Sequence, residues 1–427
     1  MKKKELTIFE FDEYAKNHPL GSFHQSSNYA IFMSENGYDY DLLGLVDEDN
    51  NIKAASLILY KRIGLFNRYG YAPKGFLIDY YNPSLIKEFT EALKKYYYKK
   101  NFAFIKINPE IAIGEIDLKT HFTKYNQNQM IESTLEGLNF KKLKNNKLFE
   151  AKLPRFNAVL ILKNTTLNTV DKRTRNKIRK SHKKGLSLIK GTREDIEKIY
   201  QFIKNKKEHP IEHYYNYFNA FNNTNSMDIF LIKIDFEECL INCREAYEEE
   251  FARNNILVDK VMENASPDNL KRKMESDKNL ECIKNDIAYT TKCLAQNKEG
   301  YIAGAITIRY KNRVYILISG YDKNYKRFNP NYFLHYKLVE YYKNDYDFMD
   351  LNGITGDFTD NNPYKGLNEF KFGFKPIAFE YIGEYDFIVN DGLYKNMEAN
   401  GQLLKEFERK TKKIPETEET KKQDTMN

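Results

Sequence analysis

Between Phe236 and Gly300 the chain has no glycine until Gly300 itself, is heavily charged, and repeats apolar residues at spacings of three and four. Leu240, Cys243 and Tyr247, continued by Val258 and Val261, fall on one stripe; Leu280, Ile283, Ile287 and Leu294 fall on another. Two such stripes predict two long antiparallel helices meeting along a seam, with the polar run from Asn264 to Asn269, which contains Pro267, as the turn between them. The residues on either side, before Phe236 and from Tyr301 to Arg309, read as strands. The pair is therefore an arm inserted between two strands of a body. All four cysteines, Cys239, Cys243, Cys282 and Cys293, lie in it. Cys239 and Cys243 are one helical turn apart, but the other pair has the wrong spacing for the second half of a zinc site. Seam packing accounts for them better, and no metal is expected.

The body must come from the remaining residues of a 427-residue chain, which is too long for one ordinary core. Residues 1–155 predict a first α/β domain. Leu42–Val46 and Ala54–Leu59 are strand candidates, Tyr69–Pro73 and Phe76–Ile78 flank Lys74-Gly75, Pro83–Lys99 is an amphipathic helix, and Ala103–Ile107 is a buried strand. Residues 156–390 predict a second domain of the same kind, interrupted by the arm at 236–300. A last helix, within 391–410, is expected to complete the first domain. Residues 411–427 are charged, Thr-rich and nearly free of apolar side chains, a composition expected to stay disordered.

Composition narrows the setting. Lys and Arg number 68 against 60 Asp and Glu, a net charge of +8 that suits a polyanionic partner without naming one. So few cysteines point to a reducing cytosol. The N-terminus, MKKKELTIFEFDEYAKNHPL, lacks the apolar run of a signal peptide, and no stretch approaches a membrane span. A cytoplasmic protein is expected, touching the inner face of a membrane only peripherally.

Chemistry is concentrated near the C-terminus, from Phe348 to Phe387. An alternating strand breaks into a loop holding Gly353, Gly356, Pro363 and Gly366. A short apolar turn, Leu367–Phe374, sets Lys371 between Phe370 and Phe372, and a second strand follows at Ile377–Ile382. This order presents one cation beside a cleft. On the residues alone, a solvated lysine whose stem covers apolar surface is the favoured reading. A second basic feature is the run Lys172–Lys184, KRTRNKIRKSHKK, with eight Lys or Arg and no acid. It reads either as a solvated helix face or as a seat for a phosphate backbone.

The wording of the C-terminal stretch, Gly353-Ile354-Thr355-Gly356-Asp357-Phe358 followed by Phe370-Lys371-Phe372-Gly373-Phe374, resembles the signature of the Fem family of peptidoglycan-bridge aminoacyltransferases. So do Phe23–Ser26 and Tyr71-Ala72-Pro73-Lys74-Gly75 with Asp79. The resemblance implies two tandem acyltransferase-like domains of the GNAT type. It also implies transfer of an amino acid from aminoacyl-tRNA, the co-substrate, to a stem-peptide amine of a lipid II-type precursor, with no further cofactor. It places Lys371, Phe370 and Asp79 in the catalytic site and Tyr71, Lys74, Asn108, His209, Tyr215, Gly353 and Gly356 around the substrates. Arg173, Arg175, Lys177, Arg179 and Lys180 would meet tRNA, and the arm resembles the tRNA-binding arm of seryl-tRNA synthetase. The chain departs from the family pattern at four points, one of them Phe76, where proline is usual. Asn108 replaces an Asp, and an amide is no base; Met33 and His209 stand where cations are usual. Rival readings are a CoA-dependent acyltransferase of the same fold, a non-catalytic RNA-binding protein, and aminoacyl transfer to protein N-termini. Against CoA, the loop Lys326–Asn331 has no glycine and loses an N–H at Pro330.

Overall fold

The computed structural model describes residues 1–63, 67–143, 147–148, 152–203 and 209–403. In chain order its strands are β1 (Lys2–Glu5), β2 (Asp39–Val46), β3 (Ile52–Ile63), β4 (Asn67–Ala72), β5 (Phe102–Ile107), β6 (Ala112–Ile116), β7 (Thr123–Tyr125) and β8 (Phe140–Lys142). They continue as β9 (Phe156–Ile161), β10 (Ser187–Lys190), β11 (Met227–Asp235), β12 (Glu299–Tyr310), β13 (Arg313–Tyr321), β14 (Phe348–Ile354), β15 (Ile377–Tyr381) and β16 (Tyr385–Ile388). Two mixed sheets result, ordered β1-β2-β3-β4-β5-β16-β8 and β10-β11-β12-β13-β14-β9-β15-β6-β7.

The chain crosses between the sheets four times. β6, early in the sequence, pairs with β15, and β7 pairs with β6 at the edge of the second sheet; β8 belongs to the first sheet, and β16 returns to lie between β5 and β8. A cut at residue 155 would thus separate strands from their partners. Phe76–Ile78 forms no strand: the Tyr80 hydroxyl accepts the Phe76 N–H, and only Leu77 makes a bridge, to Ala55. The final helix is described as Asp391–Ala399, and its Tyr394 and Met397 pack under the first sheet. Residues 404–410 of the expected helix and the tail 411–427 lie outside the described residues.

The arm is two helices, Phe236–Glu263 and Pro267–Gln296. The turn is shorter than the sequence suggests. Ser266 caps the second helix and Pro267 opens it, where a missing N–H costs nothing. Cys239, Cys243 and Cys293 are buried at the root, while Cys282 is exposed. Farther out the seam turns polar. Buried Asn254 donates to Ser276 and Asp277, and Ser276 donates to Glu250. Such a layer fixes register, because any slip would leave these groups unpaired.

The arm occupies the loop of a β-hairpin. β11 and β12 pair antiparallel from Asp235↔Glu299 to Met227↔Ile308, so the strands meet where the arm leaves. Its root is pinned by Asp286, which pairs with Lys184 and Arg327, whereas the hydrogen bonds and ion pairs of residues 250–280 close within the arm. Replacing 250–280 by a short Gly/Ser loop should therefore leave a cooperatively melting protein with a Tm within a few degrees of the parent. Calorimetry checks this, and a non-cooperative melt would show that the distal arm supports the body.

A candidate active site between the two sheets

β13 and β14 lie side by side and parallel, but they pair only at Arg313–Tyr315 with Phe348–Asp350, although both run on, to Tyr321 and Ile354. Beyond that point the strands part, and β14 also shifts register against β9 between Asp350 and Gly353. Asn352 stands at φ +67, a left-handed conformation that asparagine tolerates. Two successive carbonyls, of Asn352 and Gly353, are then presented to one donor.

That donor is Lys371. It lies in a helix, Lys365–Phe372, where the sequence suggests a turn, and its Nζ donates to the Asn352 carbonyl at 3.1 Å and to the Gly353 carbonyl. Its residue is only 7% exposed, so the solvated-lysine reading fails. Phe370 anchors the helix edge-on against Tyr332 and His335, at 4.9 and 4.8 Å between ring centres. Gly356 is required by packing: a Cβ there would sit 2.3 Å from the Phe156 ring. Gly373 is equally constrained, since a Cβ would strike Thr174 and Asp171, which cap the basic helix Lys172–Lys183. The signature motif thus seats that helix directly.

The first sheet contributes a buried charge cluster facing this place. Lys74, at φ +54 just beyond β4, lies 3.6 Å from Glu110, whose other oxygen accepts from Arg313 at the start of β13 and from the Tyr381 hydroxyl at 3.2 Å. Lys74 also lies 4.8 Å from the centre of the Tyr381 ring. Burial pushes the Glu110 carboxyl up, but Lys74 and Arg313 outweigh burial and hold it at about 2. Asn108 accepts the Lys74 N–H at 2.8 Å and donates to the Tyr71 hydroxyl at 3.1 Å. Gln25, from the Phe23–Ser26 motif, holds the same loop through the Pro73 carbonyl at 2.8 Å. Tyr71, Lys74 and Asn108 are thus brought together.

Asp79 is not. It is exposed, and its carboxylate accepts the Tyr81 N–H in the turn before the helix Pro83–Tyr98. His209 and Tyr215 lie at the start of another helix, Ile211–Asn222, packed against the helix Ser27–Glu35 that carries the partly buried Met33. The His209 ring stacks on His213 at 3.9 Å despite Pro210 between them, and the Arg193 guanidinium covers Tyr215 at 4.5 Å. On the basic helix Arg173, Arg179 and Lys180 are exposed and Arg175 half-buried, while Lys177 bonds the Tyr332 hydroxyl at 2.8 Å. Sequence reasoning missed Glu110, Arg313, Asp350 and Tyr381. The available signal was a charge at the boundary of, or within, an otherwise apolar strand: Arg313 opens β13, Asp350 interrupts β14, and Glu110 follows β5.

Two mixed sheets joined through buried charge, one of them opened between parallel strands beneath a lysine, define an α/β protein of two acyltransferase-like units. The chain belongs to the FemAB family, whose model it matches over residues 6–402. It is similar to aminoacyltransferase FemA of Staphylococcus epidermidis, at 26% identity over 92% of this chain and 97% of that one. It is also similar to the lipid II:glycine glycyltransferase of Staphylococcus aureus, at 25% identity over 93% and 95%. The crystal structure of FemX superposes with a TM-score of 0.72 at 20% identity, covering 93% of this chain and all of that one.

Glu110 generates a pH prediction. Its folded value, about 2, lies below the ordinary glutamate value near 4.3, so it stabilises the fold above the unfolded value and loses that contribution as pH falls. About 3 kcal/mol should disappear between roughly pH 4.5 and 2. Glu110→Gln should be less stable at neutral pH and flatter across this window, as measured by urea unfolding at each pH.

Proposed function

We propose that this chain is an aminoacyltransferase of peptidoglycan bridge formation, moving an amino acid from aminoacyl-tRNA to a stem-peptide amine of a lipid II-type precursor. The observation that carries the reading is a FemAB match along nearly the whole chain, combined with Lys371 buried where β13 and β14 part. The relatives named above are transferases with aminoacyl or glycyl groups and, in one case, lipid II in their names.

The chemistry asks little of the protein. The ester of a charged tRNA is already activated, so attack by an amine requires alignment, removal of a proton and stabilisation of the oxyanion. Lys371 supplies positive charge beside the reacting carbonyl, and the carbonyls of Asn352 and Gly353 fix its direction. Coenzyme A is disfavoured on the loop that would hold its pyrophosphate. The helix Pro330–Tyr342 starts at a proline and is preceded by Asn329 at φ +52 with no side-chain cap, so the run of N–H donors is broken.

Charge also divides the roles of the two exposed helical features. The two arm helices, Phe236–Glu263 and Pro267–Gln296, together have thirteen acids and nine bases, whereas the basic helix Lys172–Lys183 has no acid. The phosphate backbone of tRNA therefore belongs on the basic helix, beside the Phe370–Phe374 segment, and not along the arm. Among the described residues no helix is long and apolar enough to cross a membrane, so a lipid-linked acceptor would be met at the membrane surface.

Purified protein given a mixed pool of aminoacyl-tRNA and lipid II should yield a precursor heavier by one or more amino-acid residues. Ribonuclease pretreatment should abolish the product; product that survives ribonuclease and requires acetyl-CoA refutes the reading. Lys371→Ala should lower turnover about a hundredfold or more, on the order of 3 kcal/mol. It should also cost about 1–3 kcal/mol of stability, because two carbonyls lose their buried donor. Full activity in that variant would mean that Lys371 only braces the loop.

A further inference from the structure

The reaction needs a group to receive the proton of the attacking amine, and the familiar position cannot provide one, because Asn108 is an amide already committed to Tyr71 and Lys74. The alternatives around the cluster can be ranked. Glu110 is held between Lys74 and Arg313 at about 2 and is a poor base at neutral pH. Asp79 is exposed and turned to its own backbone. Burial, with Lys74 beside it, pulls His24 down to about 3.

Asp350 remains. It is the last β14 residue paired with β13, at the point where the two strands part, and it is 4% exposed. Its Oδ1 accepts the Asn352 N–H at 2.7 Å, and Asn157 lies against the carboxylate with Nδ2 at 3.3 and 3.5 Å from the two oxygens. The carbonyl of the same Asn352 is held by Lys371. Carboxylate and lysine are therefore joined through one residue. Asn157 adds an independent sign: it is 4% exposed, yet its Oδ1 has no hydrogen-bond partner among the described residues, next to a carboxylate. An N–H donor between Asp350 and Asn157 would satisfy both.

We propose that Asp350, assisted by Asn157, binds the acceptor amine and takes its proton, while Lys371 faces the ester. This rests on the transferase reading above. The nitrogen lone pair forms the new C–N bond, the carbonyl electrons move to the oxyanion, and the nitrogen gives its proton to Asp350. The oxyanion electrons then re-form the carbonyl as the ester C–O bond breaks, and the leaving ribose oxygen takes the proton that Asp350 received, so the step is balanced without an oxidant or further reactant. The groups facing Asp350 are Arg313 and Tyr315 on β13, Glu110 and Lys74 from the first unit, and Tyr381 on β15. Burial raises the Asp350 carboxyl and Glu110 adds to the rise, against Arg313 and Lys74. That direction brings a carboxylate toward the range in which a base works best.

The test is single-turnover transfer between pH 5.5 and 9 with the full chain, an aminoacyl-tRNA pool and lipid II, using wild type, Asp350→Asn and Asp350→Glu. The expected result is a wild-type rate that rises through one ionisation. Asp350→Asn should lose about a hundredfold or more at neutral pH along with that ionisation, with its Tm and tRNA binding retained. Asp350→Glu should recover part of the rate with a displaced ionisation. An Asp350→Asn rate within threefold of wild type, with the same pH profile, overturns the proposal. So does loss of cooperative folding in both variants, which would make Asp350 structural. If wild type transfers nothing to lipid II, the transferase reading itself fails, and this is seen before any variant is compared.

Discussion

Beside the apolar cluster that the two halves share, one buried carboxylate ties them together through charge. Glu110 leaves the first sheet and takes charge from Lys74 of its own half and from Arg313 of the other. A lone carboxylate taken this far from water would be prohibitive, and an ion pair that merely broke even would add no stability. Two cations and the Tyr381 hydroxyl shift that balance. They also impose geometry, because each partner must keep its place for the others to remain satisfied. Tyr381 is carried by β15, which borders the β6 excursion from the first part of the chain. The covalent crossing and the charge cluster thus reinforce the same interface, and the cleft between β13 and β14 opens directly beside it.

The arm follows from a local solution in the second sheet. An insertion of this length is tolerated where its ends are already close, and the Asp235↔Glu299 pairing makes them adjacent. Phe236 is fully buried at the exit, and Asp286 ties the root to Lys184 and Arg327, so the arm leaves the body in a fixed direction. Farther out, the Asn254–Ser276–Glu250 layer replaces apolar packing, which sets the register of the two helices at some cost in stability. A long, acidic first helix on a chain of net positive charge then concentrates basic character on the body, around the helix Lys172–Lys183.

Much of this was legible in the residues. Period and glycine content marked the arm, alternation marked most strands, and the Phe370-Lys371 wording marked the site. The limits were also physical. A polar seam layer is invisible to a reading based on apolar stripes, so Asn254 and Ser276 were passed over. Sheet order depends on long-range pairing, which no local pattern reports; hence β6 and β7 were counted with the wrong half. A lysine between two phenylalanines looks alike whether its amine reaches water or two carbonyls, and only the turn at Asn352 decides between them. Charged residues at strand ends looked like solvated boundaries, which hid Glu110 and Arg313.

The region where the chain departs from the family pattern has its own logic. Met33 packs among aromatic side chains, and His213, stacked on His209, is drawn down to about 4 by burial and by the neighbouring imidazole. At neutral pH that ring is uncharged, and its Nδ1 lies 3.3 Å from the Asn36 side-chain oxygen. A methionine offers a diphosphate no charge, and an imidazole less fixed charge than the cation usual there. Lys61 lies nearby, over the Tyr38 ring at 3.8 Å and bonded to the Asn36 carbonyl at 3.3 Å. Lys61 is carried by β3, one residue past the β2–β3 pairing that ends at Tyr60. A lysine stacked on tyrosine loses less freedom on meeting an anion than one in solvent.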